Sequence, residues 1–134
     1  MTMANAVQEY ARTLTLRSPT HYRVGPFTVR HNPGWELKYA KVSALAVLDG
    51  APAGVGGCSV AIEGLSELAG LAVAAPFRRR GVGAALTAWL TERAFTQGCR
   101  TVWLEPGDAD VERIYASIGY RRIGEKVNIS LERE

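Results

Sequence analysis

Apolar residues recur at helical spacing in three stretches of the chain and run in strand-like patterns through most of the rest. Val7, Tyr10, Ala11 and Leu14 lie three and four apart, so Ala4 to Leu16 is expected as an amphipathic helix ending before Ser18-Pro19. Phe27, Val29 and His31 alternate, and so do Trp35, Leu37 and Tyr39, with Asn32-Pro33-Gly34 between them, the pattern of two strands and a turn. Val42 to Leu48 is nearly all apolar or small, Asp49-Gly50 makes a turn, and Pro52 to Ile62 reads as a Gly-rich strand. Glu63-Gly64 turns again into Leu65 to Val73. Links this short cannot make parallel crossovers, so these three strands are expected to form an antiparallel meander.

Val82, Ala85, Leu86, Trp89, Leu90 and Arg93 recur at three and four, which predicts a helix from Gly81 to Thr96 with one face on the sheet, stopped by Gly98. Arg100 to Glu105 follows as a buried-looking strand, and a strand, helix, strand unit favours a parallel, right-handed return. Asp108 can cap a helix in which Val111, Ile114, Tyr115 and Ile118 share a face, and Gly119 can end it. Tyr120 to Leu131 reads as a last strand, most clearly at Val127, Ile129 and Leu131. The expected fold class is α/β (α+β): a mixed, mostly antiparallel sheet flanked by helices, with a central parallel strand pair.

The 134 residues suit one domain, 1–134, and the 47% hydrophobic and 22% charged fractions match an ordinary globular protein. Charges interrupt every apolar stretch before the ~20 residues that a bilayer span needs, and Gln8, Glu9 and Arg12 break up the start of the chain. No membrane partner is expected, and the cytoplasm is the expected location. Cys58 and Cys99 form no Cys-x-x-Cys pair and no cluster with His or acidic residues, so they read as core thiols, with neither metal nor disulfide indicated. The net charge of +3 equals the contribution of Arg78, Arg79 and Arg80 alone. Basicity so local suits a small anion, and no nucleic-acid partner is expected.

Arg78-Arg79-Arg80-Gly81-Val82-Gly83-Ala84 lies between a strand and the first turn of a helix. Unpaired amides at a helix N-terminus carry partial positive charge, Gly81 and Gly83 let phosphate oxygens approach the backbone, and arginines add fork-shaped donors. A Gly-Lys-Ser/Thr ending for a P-loop and a third Gly for a dinucleotide fingerprint are both missing. Taken alone, the segment is also open to a plainer reading in which the arginines solvate a loop and the glycines serve its turn. His21 and His31 stand alone in the sequence, where a surface or turn role is the default, and neither is assigned to catalysis.

With its surroundings this segment resembles the GNAT family of N-acetyltransferases, in which a strand, a Pro, an aromatic residue and Arg-x-x-Gly-x-Gly/Ala form the acyl-CoA site. The matching residues run from Leu68-Ala69-Gly70-Leu71-Ala72-Val73-Ala74-Ala75-Pro76-Phe77 into Arg78-Arg79-Arg80-Gly81-Val82-Gly83. A second family element, Asn-x-x-Ala-x-x-Leu-Tyr-x-x-x-Gly-Phe/Tyr, is approximated by Asp108 to Tyr120, with Ile114-Tyr115 and Gly119-Tyr120 in register. The resemblance covers roughly Val42 to Leu131 and implies that the strands around Leu71 and Trp103 splay apart to admit the pantetheine arm of acetyl-CoA, the expected co-substrate. It assigns the pantetheine to the backbone of Leu71, Ala72 and Val73, and the phosphates to Arg78, Arg79, Arg80, Gly81, Val82, Gly83 and Ala84. It also places Tyr115 where the family keeps an acid for the departing thiolate, although the spacing with Val111 and Ile118 also fits a core aromatic. Glu67 matches an acidic family position and is the candidate base, with Glu105 the other; either could be a solvated strand-end charge or a structural ion pair.

The implied activity is acetyl-CoA-dependent N-acyl transfer to a small-molecule or peptide amine by direct attack in a ternary complex, which needs no protein nucleophile. The alternative is a non-catalytic GNAT-like module for CoA binding or protein interaction. Asp108 and Val111 depart from the Asn and Ala usual in the family, and a carboxylate at 108 points to a helix cap rather than a CoA contact. Only residues 32–41 separate His31 from Val42, where the family usually places two helices, so residues 1–41 form an atypical N-terminal helix and strands. The missing helices and the aromatics between Trp35 and Tyr39 lead us to expect a possible homodimer.

Overall fold

The computed structural model describes residues 20–24, 26–31, 42–125 and 129–131. Six strands among them form one sheet whose spatial order is the chain order: β1 (Thr20–Val24), β2 (Phe27–His31), β3 (Val42–Leu48), β4 (Ala51–Cys58), β5 (Leu65–Val73) and β6 (Thr101–Trp103). The first four pairings are antiparallel, as short connections require, and β5 pairs with β6 in parallel across the intervening helix α1 (Val82–Thr96). A short 3-10 turn, Ala75–Phe77, precedes α1, and α2 (Ala109–Ile118) follows β6. No helix among the described residues is long and apolar enough to cross a membrane.

One face of the sheet carries α1, and the main core lies between them. Leu86 and Leu90 are completely buried against Val29, Ala44, Ala46 and Ala53. The helix comes this close because β4 has no side chain at two contact points. A Cβ at Gly54 would stand 2.9 Å from Val82 Cγ1 and 3.0 Å from the Ala72 carbonyl oxygen, and one at Gly56 would stand 2.9 Å from Leu71 Cδ1 and 3.0 Å from Leu90 Cδ1. The Gly-rich character of this strand is thus a seat for α1.

β5 carries one extra residue. Val55 pairs with Ala72 and Gly57 with Ala69, so β5 advances three positions while β4 advances two. Gly70, at φ +67°, occupies the bulge, a conformation that glycine adopts without a Cβ penalty. The extra residue inverts the alternation: Leu68 packs into the α1-facing core before it, and Leu71 and Val73 do so after it, while Ala72 joins Leu45 and Val55 on the opposite face.

Several expectations need correction. Phe27–His31 pairs with β1 and β3, and β1 itself is a strand that the diluted apolar pattern of Thr20 to Val24 did not reveal. His31 is neither a surface nor a turn residue: it is fully buried on β2, its ring 5.1 Å from that of Trp89. The strand expected over Arg100 to Glu105 is only Thr101–Trp103 and at best half-buried, because its parallel ladder with β5 lasts only from Leu65 to Glu67. The strand expected from Tyr120 to Leu131 is absent from the described residues 120–125 and 129–131, where Ile129 and Leu131 are 92% and 93% exposed. Alternation supplies a face but not the partner edge that a strand needs, and β6 presents only three residues. The helix expected over Ala4 to Leu16, the strand from Trp35 to Tyr39, and with it the proposed dimer edge, lie outside the described residues.

The seating of α1 on β4 is open to a direct check. Replacing Gly54→Ala is expected to lower unfolding free energy by about 1–3 kcal/mol, because its neighbours include backbone that cannot yield. Gly107→Ala, which meets nothing within 4 Å, should stay within about 1 kcal/mol of wild type in the same denaturant titration.

Candidate functional site

β5 stays beside β6 only through Glu67, opposite Trp103, and beyond that point its outer edge is unpaired among the described residues. The backbone groups on that edge can be identified from the ladder. The Ala74 amide donates to the Ala53 carbonyl at 2.9 Å, toward β4, so the groups of Val73 face the other way, into the gap. Arg78 Nε donates to the Val73 carbonyl at 3.3 Å from that side. Ala72, in register with Val55, has its own groups on the β4 side, and Leu71 follows the bulge with its side chain over α1's first turn.

The gap leads to the N-terminus of α1. The loop before it puts Arg79 at φ +61° and Gly81 at φ +81°, a pair of left-handed residues that turns the chain sharply into the helix. Gly81 is the N-cap and no side chain caps the helix. The first intrahelical bond runs from the Ala85 amide to the Gly81 carbonyl at 3.0 Å, so the amides of Val82, Gly83 and Ala84 precede the ladder and have no helical acceptor. No acidic residue lies in the first turn. The arrangement is an anion cradle with helix-dipole support.

The side chains around the cradle divide the work. Val82 is 1% exposed and belongs to the core, so its contribution to the cradle is its amide. A Cβ at Gly83 would point at β5, 3.7 Å from Leu71 and 3.8 Å from Val73, which is ordinary packing; the absent side chain there concerns the helix–strand contact and not phosphate approach, contrary to the sequence argument. Arg78, Arg79 and Arg80 are all exposed. Arg80 lies 3.9 Å from Asp49 on the β3–β4 turn and 5.9 Å from the Phe77 ring centroid, whereas Arg79 has no ion-pair partner among the described residues. Phe77 is the aromatic residue of the motif, whereas Asp49 is a site neighbour that no motif marked.

The two catalytic candidates occupy different elements. Tyr115 is the buried residue of α2, its ring 6.2 Å from that of Tyr120. Tyr120 in turn has its hydroxyl 2.5 Å from Thr91 Oγ1 on α1. Burial raises both phenols above the ordinary tyrosine value. Glu67 is half-buried on β5, three residues before Gly70; because Leu68 faces α1, Glu67 points to the other face of the sheet. Its amide donates to Ser59 Oγ at 2.9 Å, which fixes the backbone beside the gap. Glu105 is exposed beyond β6. Asp108 accepts from the Val111 amide at 2.8 Å, the helix cap that its carboxylate suggested.

The family model of the Acetyltransferase (GNAT) family matches residues 5–120. Among solved structures, an acetyltransferase from Trypanosoma brucei aligns with a TM-score of 0.61 at 19% identity, over 74% of this chain and 75% of its own. Glucosamine-6-phosphate N-acetyltransferase from Arabidopsis thaliana aligns at 0.60 and 15% identity, over 69% and 67%. An aminoglycoside N-acetyltransferase in complex with CoA aligns at 0.58 and 20%, over 78% of this chain and 98% of its own. At these identities the likeness is one of fold. No curated protein matches the chain.

Near the gap, burial pushes the Cys58 thiol up to about 11, against a smaller opposing effect of Ser66. A neutral form favoured by folding contributes stability that is complete below the ordinary thiol value and is lost as pH rises from there through about 11. Tyr115 and Tyr120 act in the same direction at higher pH. Denaturant unfolding should therefore show stability declining above about pH 9, by at most about 2–3 kcal/mol from the thiol, and Cys58→Ala should make that decline shallower.

Proposed function

The chain belongs to the GNAT acetyltransferase family, and from that premise we propose that it transfers an acetyl group from acetyl-CoA to an amine acceptor by direct attack in a ternary complex. The observation that supports this best is the meeting of the unpaired β5 edge with the uncapped N-terminus of α1, an extended slot of backbone donors and acceptors leading into an anion cradle. A pantetheine arm with amide groups suits the first, and a pyrophosphate suits the second. The CoA complex of the aminoglycoside N-acetyltransferase shares this fold.

In this reading the Val73 backbone and the neighbouring Leu71 hold the arm as a strand-like partner, with Ala72 supporting them from the β4 side. The amides of Val82, Gly83 and Ala84 hold the pyrophosphate, while Arg78, Arg79 and Arg80 add charge at its mouth and Gly81 shapes the turn. The acceptor approaches from the sheet face that bears Glu67, opposite α1. Glu67, directly or through a water, takes the proton that the amine must lose as its nitrogen attacks the thioester carbonyl carbon. The tetrahedral adduct then expels CoA by breaking the carbon–sulfur bond, and Tyr115 gives its hydroxyl proton to the departing sulfur. A phenol already holds its proton at neutral pH, and burial raises that of Tyr115 further above the ordinary tyrosine value. Glu105, beyond the end of β6, is the second candidate for the base. The acceptor class is a small-molecule or peptide amine.

Calorimetric titration of acetyl-CoA separates this reading from a module that binds nothing there. Wild type should bind, and Gly81→Glu, which fills the cradle with a side chain and a negative charge, should weaken binding at least about tenfold. Equal binding by the two would contradict the assignment. For the acid, Tyr115→Phe should lower kcat about 10²-fold with acetyl-CoA affinity within about twofold of wild type. Retention of wild-type kcat would remove Tyr115 from the mechanism.

A further inference from the structure

Thr91 is not part of either motif, yet it links the two helices that the site needs to hold in register. Its Oγ1 donates its single proton to the Thr87 carbonyl at 2.7 Å, so in the 2.5 Å contact with Tyr120 it is the acceptor and the phenol is the donor. One turn earlier, Thr87 Oγ1 donates to the Gly83 carbonyl at 2.8 Å. A line of hydroxyls therefore runs along one side of α1, from the turn that forms the anion cradle to Tyr120.

Tyr120 is joined to Tyr115 in two ways. Its amide donates to the Tyr115 carbonyl at 3.1 Å, just past Gly119 at φ +121°, and its ring meets the Tyr115 ring at 60° with centroids 6.2 Å apart. Tyr115 is the buried side chain of α2, and the chief packing partner of α2 is α1 rather than the sheet. Tyr115 is thus connected to α1 by a chain of contacts that runs through Tyr120 to Thr91.

We propose that Thr91 is a positioning residue for Tyr115, acting through Tyr120, so that one helix sets both the phosphate end and the acid end of the cofactor slot. The eight steps from Gly83 to Thr91 rise about 12 Å along the helix, and the acid is held at a fixed distance from the cradle by that rise. The proposal rests on the acetyl-transfer reading for its consequence in catalysis, but not for the physical link itself.

Two measurements test it on the full chain. With 13C-labelled tyrosine, assigned by Tyr115→Phe, the ring signals of Tyr115 should move in both Thr91→Val and Tyr120→Phe, and Thr91→Ser should restore the wild-type signals. Acetyl-CoA affinity should stay within about twofold throughout. In thiol-release assays with a panel of primary amines, Thr91→Val should lower kcat about 3–10-fold with KM unchanged, and should lower it no further in a Tyr115→Phe background. Unmoved Tyr115 signals in folded Thr91→Val and Tyr120→Phe would overturn the proposal, as would an equal kcat loss in the Tyr115→Phe background. If wild type binds acetyl-CoA but releases no thiol with any amine, the acetyl-transfer reading fails, while the ring signals still decide whether Thr91 positions Tyr115.

Discussion

The extra residue in β5 is the constraint on which the site depends. From Leu65 to Glu67 the strand pairs with β6 and from Leu68 to Val73 with β4; at Gly70 it takes one residue more than β4 and turns its alternation over. Among the described residues the side toward β6 is open from Leu68 onward, so the Val73 amide faces a gap that suits a ligand able to add to a sheet edge, while the Val73 carbonyl accepts from Arg78 Nε. An unpaired edge inside a sheet is a liability in a protein that has no use for it. Here it ends against the N-terminus of α1, which no side chain caps.

That helix is held by a second constraint of the same backbone kind. Gly54 and Gly56 on β4 let Val82, Leu86 and Leu90 descend onto the sheet, which fixes the height of α1 and hence of its three free amides relative to β5. The charge at this end comes from elements that the core does not need: exposed arginines, one tethered to Asp49 and one to the Val73 carbonyl. Fold stability and the proposed anion binding therefore draw on different atoms of the same segment. Val82 shows the division within a single residue, its side chain in the core and its amide in the cradle.

Much of this was legible because the signals are local. The run from Arg78 to Ala84, the helical spacing from Val82 onward, the cap at Asp108 and the stop at Gly119 depend on residues near one another in sequence, and the structure reproduces them. Misreadings arose where a distant partner decides the outcome. Tyr120 to Leu131 has strand-like alternation but no strand in the described residues, while Thr20 to Val24 has weak alternation yet pairs along its whole length with β2. His31 was legible as a strand residue but not as a buried one, since Trp89 lies far along the chain. The bulge was invisible for a different reason: a glycine within a strand is compatible with a bulge or a plain rung, and only the register against β4 tells them apart. The link from Thr91 to Tyr120 joins residues 29 apart and follows no motif.

The central claim is that the opened β5 edge and the α1 terminus form a single ligand slot. Amide signals of 15N-labelled protein titrated with CoA address it most directly. The account predicts that the amides of Val73 and of Val82, Gly83 and Ala84 shift together along one saturation curve. Shifts confined to residues 82–84 would mean an anion site without a pantetheine slot, and shifts at neither segment would contradict the account altogether.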